Sequence, residues 1–353
     1  MEVVAVANQV AASVDPKAAQ VATGGSQTVT NQPWDAHLED PSIQTGYTFV
    51  PEMTWEERRS ALQLNGPHVT DFIQRVEFIS LGCYCSPSYA LQLLNLRKNS
   101  YPFDWTRSSL EGILHCLDMR FEDFLTYSTY QMVDQHVVFG GTRWGGSFWH
   151  HNLEAPMTVQ DMTRRIHRFL GTGDVSPKVP RVFIRIINST REIGQAIRLR
   201  QALKSSFPEA QEIYMLLLIE LQMERGPIAV TAPEGQGLFF FSFTEEEFRQ
   251  VPAPGRHPLS LSGARCAEAI AAGLKWWAGE GMDLNVRTCD AWRRGEGVAF
   301  CTMLNEASAK RRRKQMTDKK ELTQAELRLS SRIYQFDGGD PARELFVPRR
   351  FWG

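Results

Sequence analysis

Apolar residues follow two kinds of pattern along the chain, which predict buried strands and amphipathic helices in alternation. Continuous apolar runs are typical of strands buried on both faces, and they cover residues 76–81, 181–187, 212–221 and 238–243. Between these runs apolar residues recur every three or four positions, which predicts helices over residues 89–96, 108–126, 158–170, 190–205 and 264–279. An earlier helix is predicted to begin at the capping box of residues 54–57 and to end at Asn65-Gly66-Pro67.

The order of these segments predicts the fold class. Strands that alternate with helices indicate crossover connections, and therefore an α/β fold in which a mainly parallel sheet is flanked by helices in three layers. Functional sites of such sheets lie beyond the carboxyl ends of the strands. This rule selects residues 82–85, residues 188–190 and Glu220.

The two ends of the chain differ from its middle. Residues 1–45 are rich in Ala, Val, Gln, Thr and Ser without a sustained period, which predicts a disordered leader. Residues 46–300 are predicted to form a single α/β domain that carries the site. Residues 301–353 are predicted to form a charged surface helix and an apolar tail that docks on the domain.

Composition and charge exclude several classes of protein. The 353 residues are 42% hydrophobic and 22% charged, as in ordinary globular proteins, and the net charge of −1 favours neither nucleic acid nor an anionic membrane. No apolar stretch is long enough to span a bilayer. Six cysteines in a chain of this length do not indicate a disulfide framework. We therefore expect a cytoplasmic location, with the nucleus as the alternative because residues 310–314 are all basic. A solvated helix face is the better explanation of that run.

Cys85 is the first candidate for chemistry because it separates a predicted strand from a predicted helix. Ser86-Pro87 is typical of a helix start, so the sulfur of Cys85 is expected near a helix N-terminus. The positive end of the helix dipole lowers the pKa of a thiol, and the free N–H groups there can hold an oxyanion. The alternative is that Cys83 and Cys85 are buried thiols in a tight turn.

His150-His151-Asn152 is the candidate source of a base. The alternative is a surface loop with two solvated histidines. The glycine-rich residues 140–146 that precede it match neither a P-loop nor a dinucleotide fingerprint, so no nucleotide or other cofactor is predicted. Cys85 and its neighbour two residues earlier are spaced too tightly for a typical zinc site with these histidines, so no metal is predicted.

A second unusual string is Tyr-Pro-Phe-Asp-Trp at residues 101–105. Asp104 suits a buried acceptor that fixes the backbone or an imidazole, although the string also fits an aromatic plug with a helix cap. Arg185 lies inside a predicted strand and needs a carboxylate partner if it is buried. Asp104 is a candidate partner, and Arg185 is then either half of a structural ion pair or a clamp for an anionic substrate.

These strings resemble a known family. Ile-Ser-Leu-Gly-Cys-Tyr-Cys at residues 79–85 and Pro-Phe-Asp-Trp at residues 102–105 resemble two motifs of a domain family described as papain-like cysteine peptidases. A weaker likeness continues to about residue 245, through an Arg-rich helix at residues 164–169 and Phe-Ile-Arg at residues 183–185. The resemblance implies a papain-like α+β fold as the alternative to the three-layer sheet.

The resemblance also implies roles for single residues. Cys85 becomes the nucleophile and His151 the base, because His151-Asn152 falls where the family shows a His-Asp step. Two departures matter: Asn152 stands in place of the acid, and His150 gives an alternative register for the base. Asp104 or Asn152 would then orient the imidazole.

The leading hypothesis is a cysteine-dependent hydrolase or acyl-transfer enzyme, peptidase-like in type, whose substrate is a peptide or another small carbonyl or anionic compound. Ser86 and Trp105 are predicted to contact that substrate. A second hypothesis is a transferase for sugars or another anionic donor, in which Arg185 and Arg143 bind a phosphate or carboxylate without covalent catalysis. A third is a non-enzymatic binding module with an unreactive Cys85.

Overall fold

A computed structural model of the chain describes residues 52–289, except residues 134–135, 188–189, 223, 231–234 and 253–257. The predicted leader and the predicted C-terminal segment lie outside the described residues, as does the basic run at residues 310–314, so these remain predictions. Within the described ranges no helix is both long enough and apolar enough to cross a membrane.

The described residues form ten strands and nine helices. The strands are β1 (Glu77–Ser80), β2 (Thr106–Arg107), β3 (Thr129–Val133), β4 (His136–Gly140), β5 (Ser147–Phe148), β6 (Arg181–Ile187), β7 (Ile213–Gln222), β8 (Gly226–Val230), β9 (Leu238–Thr244) and β10 (Arg287–Cys289). The helices are α1 (Trp55–Ala61), α2 (Pro67–Arg75), α3 (Ser86–Leu93), α4 (Leu110–Asp118), α5 (Pro156–Phe169), α6 (Thr190–Gly194), α7 (Ala196–Ser206), α8 (Glu245–Arg249) and α9 (Pro258–Trp277).

The larger sheet has six strands in the order β1-β6-β7-β9-β8-β10. The first four run parallel to one another, whereas β8 is antiparallel to β9 and parallel to β10. Every residue of β6 is buried, as expected for a strand covered on both faces. The prediction of a mainly parallel sheet is therefore confirmed.

Helices cover both faces of this sheet because successive side chains of a strand point to opposite sides. Val182 and Ile184 of β6 pack into a core with α2, α3 and α9. Phe183 and Ile187 pack into the other core, with α4, α5 and α7. The described residues thus form helix, sheet and helix layers, in agreement with the first of the two predicted fold classes.

A second sheet was not predicted. It is antiparallel, in the order β2-β5-β4-β3, and Phe139 and Phe148 anchor it in the same core as α4, α5 and α7. Two of its strands are two residues long, which is too short for an alternating pattern to be recognised. Its importance lies in the residues that flank β2 and β5.

Several predicted helix ends differ from the observed ends. The capping box at Thr54 is present, but α1 ends at Ala61, and Gly66-Pro67 begins α2 rather than closing the first helix. Proline fits the first turn of a helix because the N–H that it lacks has no partner there. The same property makes α5 begin at Pro156, before the predicted start at Thr158.

Candidate active site

The turn after β1 carries Cys85 to the predicted place beyond a strand end. Gly82 and Cys83 adopt left-handed backbone conformations, with φ of +73° and +78°. A Cβ atom on Gly82 would lie 2.6 Å from the hydroxyl oxygen of Ser108, so only glycine fits this position without rearrangement. Cys85 then occupies the N-cap position of α3, which confirms its predicted position at a helix start.

Ser108 and Arg185 form hydrogen bonds with this turn. The Ser108 hydroxyl donates to the carbonyl oxygen of Leu81 and accepts from the N–H of Cys83, each at 2.8 Å. The Arg185 guanidinium donates to the Leu81 carbonyl and to the Ser108 hydroxyl, both at 3.2 Å. The backbone that presents the nucleophile candidate is therefore bonded to buried groups of β6 and of the segment after β2.

The Sγ atom of Cys85 lies 3.3 Å from Nε2 of His150. The thiol is buried and the imidazole is half-buried. His150 reaches the thiol because β5 pairs antiparallel with β2, with Phe148 opposite Thr106. This pairing brings the residues after β5 beside the residues before β2. Cys85 thus contacts His150, the alternative base. Cys85 follows a strand of the larger sheet and His150 follows a strand of the second sheet.

The electrostatic surroundings of Cys85 differ from the prediction. Burial raises the pKa of the Cys85 thiol to about 12, and the positive charge of Arg107 opposes this effect only in part. The predicted lowering by the helix N-terminus is therefore outweighed by the removal of the sulfur from water. The protonated thiol can donate its hydrogen to Nε2 of His150 in the tautomer that carries the imidazole hydrogen on Nδ1.

His151 contacts a different residue. Its Nε2 atom lies 3.3 Å from Nη1 of Arg165, and Arg165 is buried and paired with Asp161. A guanidinium can only donate, so the Nε2 lone pair of His151 is engaged as an acceptor. The residue implied as the base by the resemblance is buried against a cation, and the hydrogen-bond partner of Cys85 is His150.

Asp104 is buried and accepts from the backbone, as predicted, but its ion-pair partner is not the predicted one. Its carboxylate accepts from the hydroxyl of Ser88 at 2.8 Å and from the N–H of Tyr101 at 2.9 Å, and it forms an ion pair with Arg97 at 3.0 Å. The hypothesis that Asp104 pairs with Arg185 is wrong, because Arg97 is near in sequence and occupies the carboxylate. Asp104 instead ties residues 101–105 to helix α3.

The other group proposed to orient the imidazole, Asn152, is exposed, and its side-chain oxygen accepts from the N–H of Glu154. This contact closes a local turn before α5. The structure therefore gives Asn152 a local contact in place of the predicted bond to an imidazole.

Arg185 is fully buried and pairs with Glu192, with Nη2 at 2.7 Å from the carboxylate. The same nitrogen donates to the carbonyl oxygen of Ser108 at 3.0 Å. Burial would disfavour the charged form, but the carboxylate of Glu192 raises the pKa of Arg185 above its ordinary value. The guanidinium thus bonds to acceptors inside the protein, as expected if Arg185 is half of a structural ion pair rather than a clamp for an anionic substrate.

The remaining predicted residues are dispersed. Ser86 is buried, and its hydroxyl donates to Ser262 of α9 at 2.9 Å. Arg143 is exposed in the loop between β4 and β5, and residues 188–190, which the strand-end rule selected, fall mainly outside the described residues. In the part of the chain that the structure describes, no group of three or more His, Cys, Asp or Glu side chains is arranged to hold a metal ion.

Sequence reasoning missed Arg107, which lies over the ring of Trp149 at 4.1 Å from the ring centroid. Its charge acts on Cys85, and it follows the Pro-Phe-Asp-Trp motif by two residues, which is the only signal in the sequence for its position. Glu220, which the strand-end rule did select, lies near the end of β7. Burial raises the pKa of its carboxyl to about 7.

Comparison with known proteins finds a family model that matches the part of the chain that carries this site. Residues 76–212 match the model of a family described as "putative papain-like cysteine peptidase". This match confirms the resemblance derived from the two motifs, and it covers Cys85, His150 and Asp104. At the level of the family it supports a cysteine hydrolase, without indicating a specific activity.

Other comparisons add little to this assignment. An uncharacterised protein of Acanthamoeba polyphaga mimivirus is 41% identical over 71 residues, which are 19% of this chain and 32% of that protein. The chain thus spans about a third of the length of this relative. No solved structure matches the chain at a significant level, so none supports the papain-like alternative for the fold.

Proposed function

We propose that this protein is a cysteine-dependent hydrolase or acyl-transfer enzyme in which Cys85 is the nucleophile and His150 is the base. The observation that carries the proposal is the 3.3 Å contact between Sγ of Cys85 and Nε2 of His150. A nucleophile and a base within hydrogen-bond reach form the core of a covalent catalytic site. The family match at residues 76–212 supports the same class of chemistry.

The geometry supports a sequence of balanced steps. Nε2 of His150 takes the proton of the Cys85 thiol while Sγ attacks the carbonyl carbon of the substrate, and the carbonyl oxygen becomes an oxyanion. The carbon–leaving-group bond then breaks, the leaving group receives the proton from His150, and a thioester remains on Cys85. Water or another acceptor attacks the thioester with His150 again as the base, which releases the thiol.

The raised pKa of Cys85 favours this order over a preformed thiolate. Proton transfer to His150 leaves a thiolate beside an imidazolium, and the positive charge of Arg107 stabilises the same thiolate. The resting enzyme is then a neutral pair, and the charges arise only when the substrate is attacked. Such a site operates as a general-base system.

The first turn of α3 supplies donors for the oxyanion. Its N–H groups have no acceptor within the helix, and Pro87 has no N–H. The amides of Ser86 and Ser88 are thus the donors closest to Cys85 along this turn. A peptide or another small carbonyl compound is the substrate class that this arrangement fits.

The transferase alternative receives no support from Arg185. Among the described residues it donates to Leu81, Ser108 and Glu192, and the side chain is 0% exposed. Binding an anionic donor there would require this buried ion pair to separate, at a cost of about 3–5 kcal/mol.

The proposal is tested by the rate at which iodoacetamide alkylates Cys85, with mass spectrometry to locate the label. His150→Gln should lower the rate at pH 7 roughly 100-fold, because general-base assistance contributes 10²–10⁴-fold. His151→Gln is the matched control, since the glutamine oxygen still accepts from Arg165, and its rate should remain within about threefold of wild type.

Turnover gives the second readout. Hydrolysis of activated esters should be abolished in Cys85→Ala and reduced with His150→Gln. Alkylation of Cys85 no faster than that of the buried Cys83, with equal rates in both histidine variants, would contradict the proposal.

A further inference from the structure

Trp105 has a backbone conformation that bulky residues rarely adopt. Its φ is +62°, in the left-handed region. The segment is fixed on one side by the hydrogen bonds of Asp104 and on the other by the pairing of β2 with β5. Such strain persists only where the surroundings impose it, and it is concentrated at functional sites.

The indole of Trp105 packs against His150 and shares a buried cluster with Cys85. It belongs to one small buried cluster with Cys85 and with Tyr89, Leu93 and Leu259. Its ring centroid lies 5.8 Å from that of His150, with the two rings nearly perpendicular at 78°. Trp105 is 9% exposed, so the strained backbone places a large aromatic side chain in the wall of the site.

The indole Nε1–H of Trp105 is buried and has no hydrogen-bond partner among the described residues. The neighbouring indoles differ: Nε1–H of Trp144 donates to the carbonyl oxygen of Phe124 at 2.8 Å, and that of Trp149 donates to the hydroxyl of Ser147 at 2.9 Å. Buried tryptophan N–H groups usually have such an acceptor. The donor of Trp105 lacks an acceptor among the described residues, and its side chain belongs to the same buried cluster as Cys85.

We propose that Trp105 is a further catalytic residue whose indole N–H donates a hydrogen bond to the carbonyl oxygen of the substrate as that oxygen becomes negative; this inference rests on the proposed function. An indole N–H can only donate, so a substrate oxygen supplies the acceptor that no described residue provides. The donor acts together with the amides of Ser86 and Ser88. Fixed donors directed at a developing oxyanion are among the strongest contributions to catalysis.

The inference is tested with two reagents that react at the same sulfur. Iodoacetamide alkylates Cys85 by displacement at a methylene carbon and forms no oxyanion, whereas p-nitrophenyl acetate acylates it through an oxyanion. In Trp105→Phe a six-membered aromatic ring remains and the indole N–H is lost. We expect single-turnover acylation to fall roughly 100-fold while alkylation stays within about threefold of wild type.

Trp149→Phe is the matched control, because it removes an indole N–H one residue from His150 whose acceptor is already Ser147. Its two rates should change by the same small factor. If Trp105→Phe fails to fold, β-(3-benzothienyl)alanine at position 105 replaces the N–H with sulfur in a bicyclic ring of nearly the same shape, and the same split between the two rates is expected.

The outcomes are distinct. An equal fall in both rates would show that Trp105 only packs against the pair and would overturn the inference, as would unchanged acylation. A wild-type protein that is alkylated at Cys85 but not acylated there would overturn the proposed function itself, and this inference with it.

Discussion

Replacing Arg185 by Met removes a fully buried guanidinium from beneath the turn that carries Cys85. The guanidinium makes four hydrogen bonds of 2.7–3.2 Å, to the carboxylate of Glu192, to the carbonyl oxygens of Leu81 and Ser108, and to the Ser108 hydroxyl. Its loss removes the ion-pair partner of the buried carboxylate, which also accepts from the N–H of Leu110 at 2.9 Å. Breaking a buried ion pair in this way destabilises a protein by about 3–5 kcal/mol.

The double variant Arg185→Met/Glu192→Met separates the charge from the packing. Two apolar side chains remove the uncompensated carboxylate, but the carbonyls of Leu81 and Ser108 each lose the Arg185 donor, and the Leu81 carbonyl keeps the Ser108 hydroxyl. We therefore expect the double variant to be more stable than the sum of the two single changes predicts, with a coupling energy of about 2 kcal/mol.

The assay is equilibrium unfolding in urea at pH 7, followed by tryptophan fluorescence. Arg198→Met is the matched control: Arg198 is exposed on α7, so the free energy of unfolding should change by no more than about 0.5 kcal/mol. A loss below about 1 kcal/mol for Arg185→Met, or additive single and double variants, would refute the view that this ion pair supports the turn.

Three further predictions concern stability. Burial raises the pKa of Glu220 from 4.5 to about 7, so the folded state favours the neutral carboxyl, and the free energy of unfolding should fall by about 2 kcal/mol as the pH rises from 5 to 8. Glu220→Gln should remove this pH dependence, and equal pH dependences of urea unfolding in the wild type and the variant would contradict the prediction. Gly82→Ala introduces a Cβ atom 2.6 Å from the Ser108 hydroxyl at a φ of +73°, so we expect a loss of at least about 2 kcal/mol in thermal unfolding; a loss under 0.5 kcal/mol on that scale would show that the turn can relax. Asp104→Asn leaves Arg97, whose side chain is 6% exposed, without its counter-charge, and should lower the free energy of unfolding by about 3 kcal/mol; an unchanged urea midpoint would exclude this role.

The parallel part of the fold could be predicted because each strand is a local apolar run. The predicted strand at residues 181–187 has the bounds of β6, and the other three predicted strands agree with β1, β7 and β9 within one or two residues. The second sheet left no such signal. Its strands β2 and β5 are defined by their pairing with each other and, for β5, with β4, which the chain acquires through long-range contact.

The same distinction explains which site residues could be found. Cys85 follows a strand and begins a helix, so neighbouring residues determine its position. Its partner is 65 residues away, and the choice between His150 and His151 depends on which of two adjacent side chains faces β1. Successive side chains of an extended segment point in opposite directions, so the order of residues alone is compatible with either histidine.

The ion-pair partners show a related limit. Arg185 was matched with Asp104 because both are charged residues in apolar surroundings, but each has a partner seven residues away, Glu192 and Arg97. The Arg185–Glu192 pair spans the end of β6, and the Arg97–Asp104 pair spans the loop between α3 and β2. Neither pair lies within one helix or strand, so no periodic pattern indicates it.

The site joins two parts of the molecule with different tasks. The edge of the parallel sheet presents a thiol whose pKa burial raises to about 12, which makes it a poor nucleophile on its own. The antiparallel sheet supplies Arg107, which lies in β2, Trp105, which precedes β2, and His150, which follows β5. Because activation in the proposed mechanism depends on the second sheet, a change that weakens this pairing should reduce the reactivity of Cys85 while leaving the parallel sheet folded.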